Sequence, residues 1–197
     1  MDLEKLIKEA NEFGMSQHYA EIIRLARFLG EEQPTNCIEI GTYKGGTFYI
    51  LCALCKGIKI TVDMPLGGFG GKHLRTEDAR EARNKMVESF DGEAHMLMMD
   101  SHSGETYDAI KKILGRKKVG FLFIDADHSY EGVKQDYEMY SPLVRKGGLI
   151  ALHDIADTRK HARGHVEVPR FWKELEGDKE EIICGASWGG IGIIRKK

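Results

Sequence analysis

The sequence lacks the features that would send a protein into or across a membrane. Its longest apolar run, Phe48 to Cys55, falls far short of the ~20 residues a spanning helix needs. The start, Met1-Asp2-Leu3-Glu4, carries neither the basic nor the apolar region of a signal peptide. Cysteine is sparse: Cys37, Cys52, Cys55 and Cys184 make no disulfide framework in 197 residues. A chain of this length buries about two-thirds of its unfolded surface and needs neither disulfide nor metal to fold, so a reduced, cytoplasmic protein is expected. No charge sign dominates. With 29 basic and 31 acidic side chains and a net charge of −2, the chain does not have the balance of a dedicated nucleic-acid or membrane-surface binder. There are only 4 prolines, and no Pro/Ser linker, repeat or low-complexity tract divides the chain, so one domain is expected.

Glycine, by contrast, is plentiful, at 23 residues against a usual ~7%. Two amphipathic helices come first. Leu3, Leu6, Ile7, Ala10 and Phe13 recur at helical spacing, as do Tyr19, Ile22, Ile23, Ala26 and Leu29, with Ser16 as N-cap and Gly30 as stop. Residues 1–32 are therefore expected to pack as two helices on a domain spanning 33–197. There the period changes to short buried runs: Cys37 to Ile40, Ile58 to Asp63, His95 to Asp100, Val119 to Asp125 and Leu149 to Asp154. Helix-length segments lie between them, at about 46–56, 76–90, 103–115 and 130–145. Alternating strands and helices imply right-handed crossovers and a parallel sheet. After a helix at 167–176, Glu181 to Cys184 and Gly190 to Arg195 lie too close in sequence for a crossover and should pair antiparallel. The expected fold is α/β: a doubly wound, mostly parallel seven-stranded sheet with a reversed strand near its C-terminal end.

Four of the five parallel runs end on an acid, Asp63, Asp100, Asp125 and Asp154, and Glu39 stands one residue before the end of the first. Ligands of open α/β sheets bind at the carboxyl ends of the strands, so this row of acids marks a site. The first run continues as Glu39-Ile40-Gly41-Thr42-Tyr43-Lys44-Gly45-Gly46-Thr47 into a helix. Glycines allow a sharp turn and close ligand approach, and a helix start offers unpaired N–H groups to an anion. The spacing matches neither the dinucleotide fingerprint nor the P-loop. Asp63, ending the second run, can accept both hydroxyls of a ribose.

Glu-x-Gly-x-x-x-Gly after the first strand, an acid ending the second, and a reversed final strand in Gly190-Ile191-Gly192-Ile193-Ile194 together resemble the class I S-adenosylmethionine-dependent methyltransferases, over about residues 33–195. Within that class the chain is most similar to the metal-dependent small-molecule O-methyltransferases of the catechol and macrolide-sugar type. The resemblance implies S-adenosyl-L-methionine as cofactor. Glu39, Gly41, Tyr43, Gly45 and Thr47 would serve its methionine part, Asp63 its ribose and Met64 its adenine face. Asp100, Ser101 and His102 would stand at the adenine edge, and Asp125 would border both cofactor and acceptor.

The stretch Phe123-Ile124-Asp125-Ala126-Asp127-His128-Ser129-Tyr130 delivers Asp125 to the sheet edge. Asp154, ending the neighbouring strand, can converge on it, and two carboxylates with open water positions suit Mg²⁺ or another hard dication. His153 adds an imidazole that would tolerate Mn²⁺, Fe²⁺ or Zn²⁺. Pleat alternation would point His153 away from Asp154 unless the strand has already ended. In the family it resembles, a Lys or His three positions after the first Asp serves as base, and His128 stands there. The usual third ligand, Asn, Glu or Asp beside the second Asp, is replaced by His153 or Ile155, which leaves the metal's identity open between Mg²⁺ and softer ions.

Other features read more plainly. Cys52-x-x-Cys55 falls in an apolar helix and is expected to be core. His161 and His165, with Arg159, Lys160 and Arg163, read as a solvated basic loop. Pro65 to Arg75, glycine-rich with one aromatic, reads as a lid over the cofactor. The expected acceptor is a hydroxylated small molecule, with no membrane or nucleic-acid partner, and the leading helices could form a homodimer surface. The rival readings are a nicotinamide oxidoreductase, which shares the strand–glycine–helix and the ribose acid, an RNA or protein methylase, and a non-catalytic metabolite binder.

Overall fold

A computed structural model describes residues 1–64, 81, 84, 86–87, 90, 93–185 and 188–197. The expected lid at Pro65 to Arg75, and most of the expected helix at 76–90, lie outside the described residues. Helices α1 (Leu3–Phe13) and α2 (Tyr19–Glu32) precede β1 (Thr35–Ile40), α3 (Gly46–Leu54), β2 (Lys56–Asp63) and β3 (Ala94–Met98). Then come α4 (Gly104–Leu114), β4 (Val119–Ile124), α5 (Tyr130–Tyr140) and, through a short 3₁₀ turn, β5 (Val144–His153). The chain closes with α6 (Arg159–Arg163), α7 (Val168–Glu174), β6 (Asp178–Ile182) and β7 (Ile191–Arg195). The described strands form one seven-stranded sheet in the order β3-β2-β1-β4-β5-β7-β6. Every pairing from β3 to β5 is parallel, and β7 runs antiparallel to both β5 and β6.

The central strands read as continuous apolar runs because both faces are covered. Ile38, Ile40, Leu122, Ile124, Ile150 and Leu152 pack on one side with residues of α4, α5 and α7. Cys37, Phe121, Phe123, Leu149 and Ala151 pack on the other with α1, α2 and α3. Cys37, Cys52 and Cys55 are buried in the core, as expected.

Several boundaries differ from the sequence reading. The N-cap of α2 is His18, with no side-chain cap, rather than Ser16. Helix α2 runs through Gly30 to Glu32 and ends on a left-handed Gln33, because two turns buried by Ile22, Leu25 and Leu29 outweigh one glycine's helix penalty. Helix α5 stops at Tyr140, just before Pro142, and β5 begins earlier than Leu149, at Val144. β3 ends at Met98, so Asp100 lies in the following loop. The strand expected at Glu181 to Cys184 is β6, Asp178–Ile182. Among the described residues no helix is long and apolar enough to cross a membrane.

Candidate active site

The carboxyl ends of β1, β2, β4 and β5 meet on one edge, and two structural devices shape it. Gly41 sits at φ +95°, where a Cβ would lie 1.9 Å from the Asp125 carbonyl oxygen, so only glycine lets the β1 turn press against the end of β4. Gly46, the first residue of α3, donates its N–H to the Gly14 carbonyl at 3.2 Å, and a Cβ there would meet the Ala10 and Gly14 carbonyls at 2.7 and 2.8 Å. That tight crossing brings the α1–α2 link down onto the sheet edge.

Around the glycine turn, Glu39 is fully buried and accepts the Thr61 hydroxyl at 2.6 Å through Oε2, while its Oε1 has no hydrogen-bond donor. Burial pushes its pKa well up, against the Thr61 bond and with help from Asp125 and Asp63. Thr42 joins the same buried group through the Thr61 hydroxyl. Asp63 accepts the amides of Thr42 and Tyr43 at 3.1 and 2.7 Å, pinning the turn. Gly45, at φ +99°, is the N-cap of α3 and supplies no side-chain cap, and Thr47 lies in the first turn. Met64 is 44% exposed next to Asp63. Asp100 accepts the His102 amide at 2.9 Å, and the Ser101 carbonyl accepts the Tyr140 hydroxyl. The His102 ring faces buried Asp136 at 3.3 Å. The Asp136 carboxylate raises the pKa of His102 above its ordinary value, against burial.

The second cluster forms where β4 and β5 end. Asp154 adopts φ +61°, a left-handed conformation that breaks the strand immediately after His153. Pleat alternation therefore stops, and the two neighbours turn onto the same site. His153 Nδ1 lies 3.2 Å from Asp125 Oδ1 and 3.5 Å from Asp154 Oδ2. His128 Nε2 lies 3.4 Å from Asp125 Oδ1 and 3.5 Å from Asp154 Oδ2. Burial opposes charge on all four groups, but their mutual attraction overrides it. The two histidines hold Asp125 and Asp154 below the ordinary carboxylate range. The carboxylates raise His128, and raise His153 to about 10. Asp127 instead accepts the Ser129 amide at 2.8 Å and stabilises the turn into α5.

Two members of this site were not legible in the sequence. Gln17, from the α1–α2 link, donates Nε2 to Asp125 Oδ2 at 2.6 Å across 108 positions, with no local pattern to signal it. His161, expected in a solvated loop, is 5% exposed. Its Nδ1 donates to the Ala156 carbonyl at 2.6 Å and its Nε2 accepts the Gly189 amide at 3.1 Å. The same Nε2 stands 3.1 Å from Asp154 Oδ1 but has no proton left to give, so that oxygen has no hydrogen-bond donor. Asp125, His128 and Asp154 each offer a ligand atom within 4.8 Å of the others, and His153 Nδ1 stands equally near both carboxylates, so either imidazole can complete a ligand set with them. This donor set, with an undonated Asp154 oxygen beside it, fits a divalent cation.

A family described as a methyltransferase domain matches residues 38–155, well over half the chain and every strand end described above. The chain belongs to that methyltransferase family. A protein of Acanthamoeba polyphaga mimivirus, R132, is 31% identical to this methyltransferase over 159 residues, covering 79% of this chain and 67% of that protein. The O-methyltransferase from Bacillus cereus, solved in complex with SAH, superposes with a TM-score of 0.65 at 17% identity, over 98% of this chain and 90% of that one. TomG from Streptomyces achromogenes, an O-methyltransferase involved in tomaymycin synthesis and solved with SAM, also gives 0.65, at 16% identity over 99% and 89%. At these identities the two structures establish a shared fold, with the reversed β7 that the sequence reading expected.

Proposed function

We propose that this methyltransferase transfers the methyl group of S-adenosylmethionine to a hydroxyl of a small molecule, with a divalent ion held by Asp125, Asp154 and His153. The observation that carries the reading is the position of His128 Nε2, 3.4 and 3.5 Å from the two carboxylates, next to the glycine turn. S-adenosylmethionine supplies an electrophilic methyl group on a sulfonium. A bound divalent ion lowers the pKa of an acceptor hydroxyl and fixes its direction.

The chain's own groups supply the rest. Gly41, Tyr43, Gly45 and Thr47 shape the turn against the methionine part, and the start of α3 offers N–H groups to its carboxylate. The undonated Glu39 Oε1 suits the cofactor's ammonium, whose charge would restore the carboxylate that burial disfavours. Asp63 serves the ribose, the exposed Met64 covers the adenine, and Asp100, Ser101 and His102 border its edge. His128, with 23% of its side chain exposed against 3% for His153, is the imidazole open to an incoming molecule and takes the acceptor's proton. Methyl transfer is an in-line displacement, so alignment of oxygen, methyl and sulfur by these fixed strand ends carries much of the rate. A near-neutral net charge favours a small acceptor over RNA.

Thermal melting with ligands tests the reading. S-adenosylhomocysteine should raise the melting temperature and NAD should not. Asp63→Ala should remove most of the shift. Stabilisation by NAD alone, with no response to S-adenosylhomocysteine at millimolar concentration, would favour the oxidoreductase reading. The acceptor then follows from a screen of hydroxylated metabolites with methyl-labelled cofactor.

A further inference from the structure

We infer that the centre between β4 and β5 selects a nitrogen-accepting transition dication, Mn²⁺, Fe²⁺ or Zn²⁺, over Mg²⁺, with His153 Nδ1 as a direct ligand. This rests on the proposed divalent-ion site and names the ion class it takes.

The donor chemistry comes first. Mg²⁺ is a hard ion that keeps oxygen ligands and several waters, whereas imidazole nitrogen favours the transition dications. Beside the second aspartate this chain places His153 on one side and apolar Ile155 on the other, so no neutral or acidic oxygen ligand is available from either neighbour. The left-handed Asp154 turns His153 onto the carboxylates instead of away from them. His153 is 3% exposed, so its ring is held by packing rather than swinging in solvent, between Phe123 and Trp188 at centroid distances of 6.5 Å each.

Position points the same way. His153 Nδ1 lies 3.2 Å from Asp125 Oδ1 and 3.5 Å from Asp154 Oδ2, close enough to both carboxylates for one ion to meet all three groups.

The experiment is metal competition on the full chain stripped by chelator, followed by paramagnetic resonance of bound Mn²⁺. Free Mn²⁺ gives a sharp signal that disappears on binding, and spin-echo modulation detects a directly bound imidazole nitrogen. Wild type should bind Mn²⁺ about 100-fold more tightly than Mg²⁺ and show nitrogen modulation that changes on isotopic labelling of histidine nitrogen. His153→Asn, an oxygen donor of similar size, should cut the Mn²⁺/Mg²⁺ preference about tenfold and weaken the modulation. Bound Mn²⁺ without nitrogen modulation in wild type, or an unchanged preference in a folded His153→Asn protein, would overturn the inference while leaving a divalent-ion site intact. No binding of either ion at millimolar concentration would overturn the site itself, and S-adenosylhomocysteine melting would then show whether the methyltransferase reading survives without metal.

Discussion

Asp125 is held on two sides by groups with different jobs. His128 and His153 meet its Oδ1, and Gln17 donates to its Oδ2 at 2.6 Å. Only the amide fixes the carboxylate without contributing charge, so Gln17 acts through Asp125 as a positioning residue. Gln17→Leu should lower turnover about tenfold, with affinity for S-adenosylhomocysteine unchanged by calorimetry, while Gln17→Asn, which keeps a shorter amide, should recover part of the loss. A parallel loss of cofactor affinity would show that the α1–α2 link had moved as a whole. The His102–Asp136 pair predicts a pH effect on stability. Asp136 raises the pKa of His102 above its unfolded value, so the pair's stabilisation is fully present below about pH 6.5 and is lost as pH rises through the higher folded value. The difference in melting temperature between wild type and His102→Phe should therefore be largest near pH 6 and shrink toward pH 9. A difference that grows with pH would contradict the pairing.

Element-scale features show what a sequence can and cannot reveal. The ends of β2 and β4 were legible because acids punctuate apolar runs, although β3 stops two residues before Asp100; α1 was legible from helical periodicity and α4 from the helix-length gap between two runs. The end of β5 was not. Whether His153 joins the site depends on one left-handed residue, Asp154, and an L-residue enters that conformation without announcing it in the pattern. His161 was misread for a related reason. Its burial comes from the long-range contact with Gly189, not from its charged neighbours Lys160 and Arg163. The segment between β6 and β7 depends on another long-range contact: Glu21 of α2, fully buried, accepts the amides of Cys184 and Gly190 at 2.9 and 2.8 Å. Removing that carboxylate leaves two amide donors without a partner. Glu21→Ala should cost about 2–6 kcal/mol in chemical denaturation, because each of the two unsatisfied donors costs about 1–3 kcal/mol. A loss under about 0.5 kcal/mol would mean that water replaces the carboxylate readily.

Across the whole molecule, the sheet order brings residues far apart in sequence to one edge. β1 lies between β2 and β4, which gathers Glu39, Asp63 and Asp125, and β5 next to β4 adds His153 and Asp154. The crossover at Gly46 fastens α1 to the start of α3, so the leading helices are part of the site rather than an appendage. Gly46→Ala should therefore do more than destabilise. By separating α1 from α3 it should withdraw Gln17 from Asp125 and lower turnover beyond the loss of folded protein, measured as activity per folded molecule. The family match establishes a methyltransferase, and we propose that its acceptor is activated between Asp125 and Asp154. Anomalous scattering from a crystal soaked with Mn²⁺ and S-adenosylhomocysteine tests that claim most directly. A Mn²⁺ peak is expected within bonding distance of both carboxylates and of His153 Nδ1, next to bound cofactor. A map that shows the cofactor on the glycine turn but no peak between Asp125 and Asp154 would contradict it, leaving His128 as the lone activating group.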